Sequence, residues 1–129
     1  MTHGPLTQKV LEYQDTVRQL VTKATTTEDW APLSSFIAID KFERVGTFLE
    51  VQNWPQYTEM LIGWGQTIKS FETTVKRVTE VPGLVYFEVE ERHFYSDTVQ
   101  VVNSLSVFEF DADAKISHLD VFLQMRQPG

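Results

Sequence analysis

Near the C-terminal end of this 129-residue chain, His118, Asp120 and Phe122 recur at every second position. On a β-strand such residues share one face, so a carboxylate and an imidazole would stand side by side next to an aromatic ring. In a cavity walled by Trp and Phe this pair could do general acid/base work. A carboxylate withdrawn from water takes up protons more readily, and an imidazole titrates near neutrality. The opposite register is just as regular: Ile116, His118, Asp120 and Gln124 face water, and Leu119, Val121 and Leu123 form the buried row.

A second charged stretch, Glu88-Val89-Glu90-Glu91-Arg92-His93-Phe94-Tyr95, also has two phases. With Glu88, Glu90 and Arg92 inward it supplies an acid pair oriented by a guanidinium. In the other phase Val85, Phe87 and Val89 lead inward to Glu91, His93 and Tyr95, giving a pocket apolar at its base and polar at its mouth. Three consecutive apolar positions favour burial of this second set. Turned outward, Glu88, Glu90 and Arg92 form a solvated cross-strand charge set worth roughly a few tenths of a kcal/mol per pair.

Composition narrows the chemistry. The chain has no cysteine, which excludes thiolate catalysis, zinc–cysteine sites and disulfides. Eleven basic against 18 acidic residues leave a net charge of −7, with no Lys/Arg cluster, so neither nucleic acid nor an anionic membrane is an expected partner. Histidines at positions 3, 93 and 118 lack metal-site spacing, His3 falling in a terminus expected to fray, and no metal is expected. There is no Gly-x-Ser-x-Gly elbow and no glycine-rich phosphate loop, so no cofactor is expected either. Met1-Thr2-His3-Gly4-Pro5 has no basic start or apolar stretch, and a cytoplasmic location is the expectation.

The elements that must position these residues follow from periodicity. Leu6, Val10, Tyr13, Val17, Leu20 and Ala24 have helical spacing, with Pro5 in the first turn. Thr25 with Glu28 reads as a capping box opening a shorter helix through Trp30, Leu33 and Phe36. A short strand is expected near Ile39 to Val45. A third helix begins at Asn53-Trp54-Pro55-Gln56, where Asn53 can cap and Gln56 can reach back. From Ser70 the period changes to two. Strands Phe71–Val81, Leu84–Tyr95, Thr98–Phe110 and Lys115–Met125 are separated by Pro82-Gly83, Ser96-Asp97 and Asp111-Ala112-Asp113. Helices first and strands after give an α+β class, one domain over residues 1–129, with a cone-like curved antiparallel sheet wrapped around three N-terminal helices. Trp30, Trp64 and Phe36 are expected to be plain core.

This order, together with the ending Ala114-Lys115-Ile116-Ser117-His118-Leu119-Asp120-Val121-Phe122, resembles the nuclear transport factor two-like superfamily, and within it the SnoaL-like branch of polyketide cyclases, limonene epoxide hydrolase and ketosteroid isomerase. The likeness spans Leu6 to Gln124. It implies a cavity inside the cone, with Asp120 matching the aspartate that faces that cavity in the cyclase and hydrolase branches. Asp120 stands one residue closer to Lys115-Ile116 than in the hydrolase pattern. Where the hydrolase has Arg-x-Asp this chain has Glu88-Val89-Glu90, with Arg92 two positions on, so Glu90 and Arg92 match the acidic position and its neighbourhood. The resemblance further implies that Val102, Ser104, Ser106 and Phe108 are cavity residues and that Trp54 and Tyr57 lie near the mouth.

The resulting expectation is a cofactor-independent enzyme of isomerase, cyclase, dehydratase or hydrolase type acting on a small apolar organic molecule. Asp120 and His118 would be its acid/base pair, Glu90 and Arg92 its partners, and Trp54, Tyr57, Val102, Ser104, Phe108 and Phe122 its substrate contacts. The rival expectation is a non-catalytic binding or dimerisation module of the same shape. A homodimer is expected because an inward Asp120 would turn Leu119, Val121 and Leu123 outward.

Overall fold

The computed structural model describes residues 4–125; His3 lies outside them. Helix α1 spans Pro5–Leu20 and buries Thr7, Val10, Tyr13 and Val17 along one stripe. Its N-terminus is capped from a distance: Glu80 accepts hydrogen bonds from Thr7 N and Thr7 Oγ1, both at 2.7 Å. Gly4 leaves room for this, since a Cβ there would collide with the Glu80 carboxylate.

The second helix differs from expectation. It runs Thr27–Phe36 as a 3₁₀ helix, and Asp29 rather than Glu28 closes its start, taking the N–H groups of Thr25 (2.9 Å) and Thr26 (3.1 Å). Pro32 lies within it; its missing N–H and the clash of its ring with the preceding turn keep an α ladder from running through. The third helix, α2, spans Trp54–Gly65. Its cap is the one read from sequence, Gln56 N to Asn53 Oδ1 and Asn53 N to Gln56 Oε1, both 2.9 Å. No helix of the described residues is long and apolar enough to cross a membrane.

Six strands form one sheet: β1 (Glu43–Val45), β2 (Val51–Gln52), β3 (Ser70–Val81), β4 (Leu84–Phe94), β5 (Val99–Phe110) and β6 (Ile116–Met125), in the order β2-β1-β6-β5-β4-β3. The four long strands pair antiparallel as expected. The sheet is mixed because β1 runs parallel to β6, and β2, absent from the sequence reading, folds back on β1. The β3–β4 turn uses Gly83 at φ 77°, a conformation glycine adopts without strain. The β5–β6 turn is held by Asp111, whose carboxylate accepts from Lys115 N (3.0 Å) and Asp113 N (2.9 Å).

Helices pack on the concave face, where Val10, Tyr13, Trp30 and Leu33 meet Phe87, Phe108, Ile116 and Leu119 in one buried cluster. Two bulges set the strand phases. On β3 Lys76 is the extra residue, and on β6 it is Ser117, since Glu109 pairs with His118 but Phe110 pairs with Ile116. Ile116 and Leu119 therefore share the concave face although three positions separate them.

Hydrogen bonds from Thr7 hold the Glu80 carboxyl below the usual carboxylate range. A depressed folded-state value means that the ionised form stabilises the fold above the unfolded-state value, and that this is lost as pH falls through the folded one. Glu80→Gln should lower unfolding free energy by about 1 kcal/mol near neutrality, the scale of a helix cap. Urea titrations of both proteins at falling pH should show the gap closing in acid; a gap that persists there would contradict the assignment.

Candidate functional site

A cavity of about 390 Å³ opens between the concave face of the sheet, α1 and α2. Strand β6 contributes Leu119, Val121, Leu123 and Met125 to its wall. His118, Asp120 and Phe122 are therefore on the convex face, which corrects the expectation that they line the cavity. His118 Nε2 lies 2.9 Å from Asp120 Oδ1, its Nδ1 lies 3.2 Å from Glu43 Oε1, and Phe122 is 56% exposed. Burial decides this: the register that buries two leucines and a valine wins over the one that buries a carboxylate and an imidazole.

Glu90 and Arg92 are corrected in the same way. They form a convex-face ion cluster, Arg92 Nη1 to Glu90 Oε1 at 2.8 Å and Arg92 Nε to Glu72 Oε1 at 3.6 Å. The other phase of β4 is the one adopted. Val85, Phe87 and Val89 are buried, and Glu91, His93 and Tyr95 continue the concave row into the cavity.

Of the expected substrate contacts, Tyr57 and Phe108 line the cavity. Val102 and Ser104 are buried on the concave face, opposite Glu91 and Val89 of β4, while Gln100 and Ser106 of the same strand supply the cavity lining. Trp54 is buried behind the wall, edge-on to Phe42 (5.5 Å) and Tyr57 (6.0 Å). Trp64, expected as core, lines the cavity together with Phe71.

Gln14, Glu50, Tyr95, Gln100 and Ser106 add polar atoms to the lining, and two groupings gather the groups able to do chemistry. In the first, His93 Nε2 and Glu91 Oε1 are 2.8 Å apart, with side chains only 11% and 18% exposed. Trp64 and Phe71 stand edge-on to the imidazole at 5.0 and 6.3 Å, which fixes its plane and keeps water from that side. With Glu91 ionised, Nε2 carries the proton that the carboxylate accepts.

The second grouping is Arg44, Tyr57 and Tyr13. Arg44 is 7% exposed, donates from Nη1 to Gln52 Oε1 at 2.9 Å, and lies 5.1 Å from the centroid of the Tyr57 ring. Burial raises the Tyr13 phenol well above its ordinary range, with Tyr57 adding to this and Arg44 opposing it. Tyr57 is also raised, first by burial; Arg44 pulls it down and Glu91 pushes it up. Both phenols therefore remain neutral donors near neutrality.

Sequence reasoning missed Arg44 and Tyr13 as cavity residues. The period-two recurrence of Phe42 and Arg44 in the expected short strand was the available signal for the first. Tyr13 carried none beyond its place on the apolar stripe of α1. Among the described residues no group of three or more His, Asp or Glu is arranged to hold a metal ion.

No family model and no curated protein sequence matches this chain. Solved structures do. A provisionally named SnoaL-like polyketide cyclase from Shewanella putrefaciens superposes with a TM-score of 0.76 at 9% identity, over 95% of this chain and 91% of the other. An NTF2-like protein of unknown function from Exiguobacterium gives 0.72 at 13% identity, over 90% and 98%. A limonene-epoxide-hydrolase-like epoxide hydrolase from M. tuberculosis gives 0.66 at 13% identity, over 91% and 84%. The chain has the NTF2-like, SnoaL-like fold that its sequence order resembles; identities this low carry the fold and not the reaction.

The register of β6 has a direct test, because the chain lacks cysteine. Asp120→Cys, at a site 35% exposed, should react with a thiol reagent at least about tenfold faster than Val121→Cys, at a site 8% exposed. The reverse order of labelling rates would place the aspartate inside.

Proposed function

We propose that the protein binds a small, largely apolar organic molecule in this cavity and moves a proton on it by general acid/base catalysis, with Glu91 and His93 as the working pair and no bound cofactor. The observation that carries the reading is the 2.8 Å contact between the two side chains inside an apolar hollow. A carboxylate held there can withdraw a proton from carbon or from an attacking water. Glu91, held in place by the Nε2–H of His93, can then return that proton to another atom of the ligand. Isomerisation, cyclisation, dehydration and water addition all need this pair of transfers. The neighbours named as cyclase and epoxide hydrolase agree with such chemistry at the level of fold. A cavity of about 390 Å³ is in the range of small-molecule sites.

Deuterium uptake tests the proposal without knowledge of the natural substrate. Cyclic enones and β-diketones incubated in heavy water should exchange carbon-bound protons in the presence of the protein, followed by NMR. Glu91→Gln should slow exchange by about 10²- to 10⁴-fold, and His93→Gln should slow it as well. Asp120→Asn should leave it unchanged. Exchange that survives both cavity substitutions would overturn the assignment.

A second copy of the chain as partner belongs to the same proposal on a different ground, since Leu119, Val121 and Leu123 face the cavity and the outward row expected to drive pairing does not exist. The convex face exposes Phe122 (56%), Val99 (52%) and Val101 (51%) among charges already paired with each other, such as Arg77 with Glu88. Exposed apolar side chains set among paired charges suit self-association. Sedimentation should give a dimer that Phe122→Lys converts to monomer; a wild-type chain that remains monomeric at high concentration would contradict the pairing.

A further inference from the structure

Arg44 is a cation withdrawn from water whose charge the protein meets only in part. Its one hydrogen bond to a side chain is with the neutral Gln52, and its Nε makes none among the described residues. The nearest carboxylate oxygen, Oε2 of Glu50, stands 4.0 Å from Nη1, and the same carboxylate is already taken by Phe48 N at 2.9 Å through Oε1. The Tyr57 ring offsets part of the cost of burying the guanidinium, but a ring does not replace an anion.

A second orphaned donor lines the same cavity. The Tyr13 hydroxyl is buried, has the Tyr57 hydroxyl as a polar neighbour, and makes no hydrogen bond of ordinary length among the described residues; the ring is 2% exposed. It packs on Phe108 at 5.7 Å, and Phe108 pairs across β6 with Leu119, the residue opposite Arg44. Tyr13 and Arg44 thus belong to one level of the sheet. Glu91 lies at the level of Met125, six positions further along β6 and three strands away from Arg44. Guanidinium and dyad are therefore separated along the sheet, while both act on the Tyr57 phenol.

We propose that the ligand carries a carboxylate, held by Arg44 with the Tyr13 hydroxyl as an added donor, and that its apolar body runs along Leu119, Val121 and Phe108 toward Glu91 and His93. This deepens the functional reading above and rests on its assignment of the cavity as the ligand site. A carboxylate at Arg44 meets the unspent guanidinium donor, satisfies a phenol that otherwise remains unpaired, and fixes which end of the molecule reaches the dyad. Glu50, whose side chain is 44% exposed, can give way at the rim.

Calorimetry with 2-naphthoate and 2-naphthamide separates charge from shape. The carboxylate should bind the wild-type protein at least about tenfold more tightly than the amide. Arg44→Met should abolish that preference and Tyr13→Phe should reduce it, the latter removing one hydroxyl and keeping the ring should Arg44→Met unfold. Glu91→Gln should retain the preference. Equal affinities, absence of binding, or a preference that survives Arg44→Met with the fold intact would overturn the proposal. Proton exchange without a carboxylate preference would leave the acid/base reading standing while this inference falls. A carboxylate preference without proton exchange would do the reverse.

Discussion

A strand sends alternate side chains to opposite faces, and on β6 the two faces differ sharply in what burial is worth. Leu119, Val121 and Leu123 each gain roughly 1.5–3 kcal/mol when withdrawn from water. Asp120 and His118 would lose hydration if they replaced them, with no gain in packing. A shift of one residue reverses the whole set, so this choice fixes the cavity wall and, through the pairing of β6 with β5 and of β5 with β4, the phase of every residue that can reach a ligand. The bulge at Ser117 lets Ile116 join the same face, sealing the sheet beneath the 3₁₀ helix.

Within that wall two polar groupings differ in how far the protein satisfies them. Glu91 and His93 satisfy one another, whereas Arg44 and Tyr13 retain donors that the protein does not use. Burial strengthens both groupings relative to water, because each is screened less than a surface pair would be. The convex-face pair of His118 and Asp120 likewise sets an imidazole beside a carboxylate two positions away, but it is more exposed and also meets Glu43. The same two functional groups on opposite faces of one sheet have different consequences because only Glu91 and His93 line the cavity of about 390 Å³.

Much of this was legible in the residues. The Asn53–Gln56 cap, the Pro82-Gly83 turn and the four long strands follow from local chemistry and appear within a residue or so of their expected ends. The run Val85, Phe87, Val89 indicated the phase of β4 and with it the inward Glu91 and His93. The resemblance drew attention instead to Glu90 and Asp120, one position away on each strand. What local chemistry could not supply was long-range pairing. The parallel contact of β1 with β6 brings Arg44 to the cavity from 75 positions upstream of Leu119. The extra residue at Ser117 arises from how β6 meets β5, and nothing in its neighbours' types announces it.

The claim on which the account rests is that the dyad meeting the ligand is Glu91 with His93 and not Asp120 with His118. Nitrogen-15 NMR of the imidazoles addresses it directly, since His93 and His118 are the two histidines among the described residues. On titration with a small apolar carboxylic acid, the account predicts that the ring nitrogens of His93 shift in proportion to occupancy while those of His118 do not move. A response at His118 with His93 silent would contradict it.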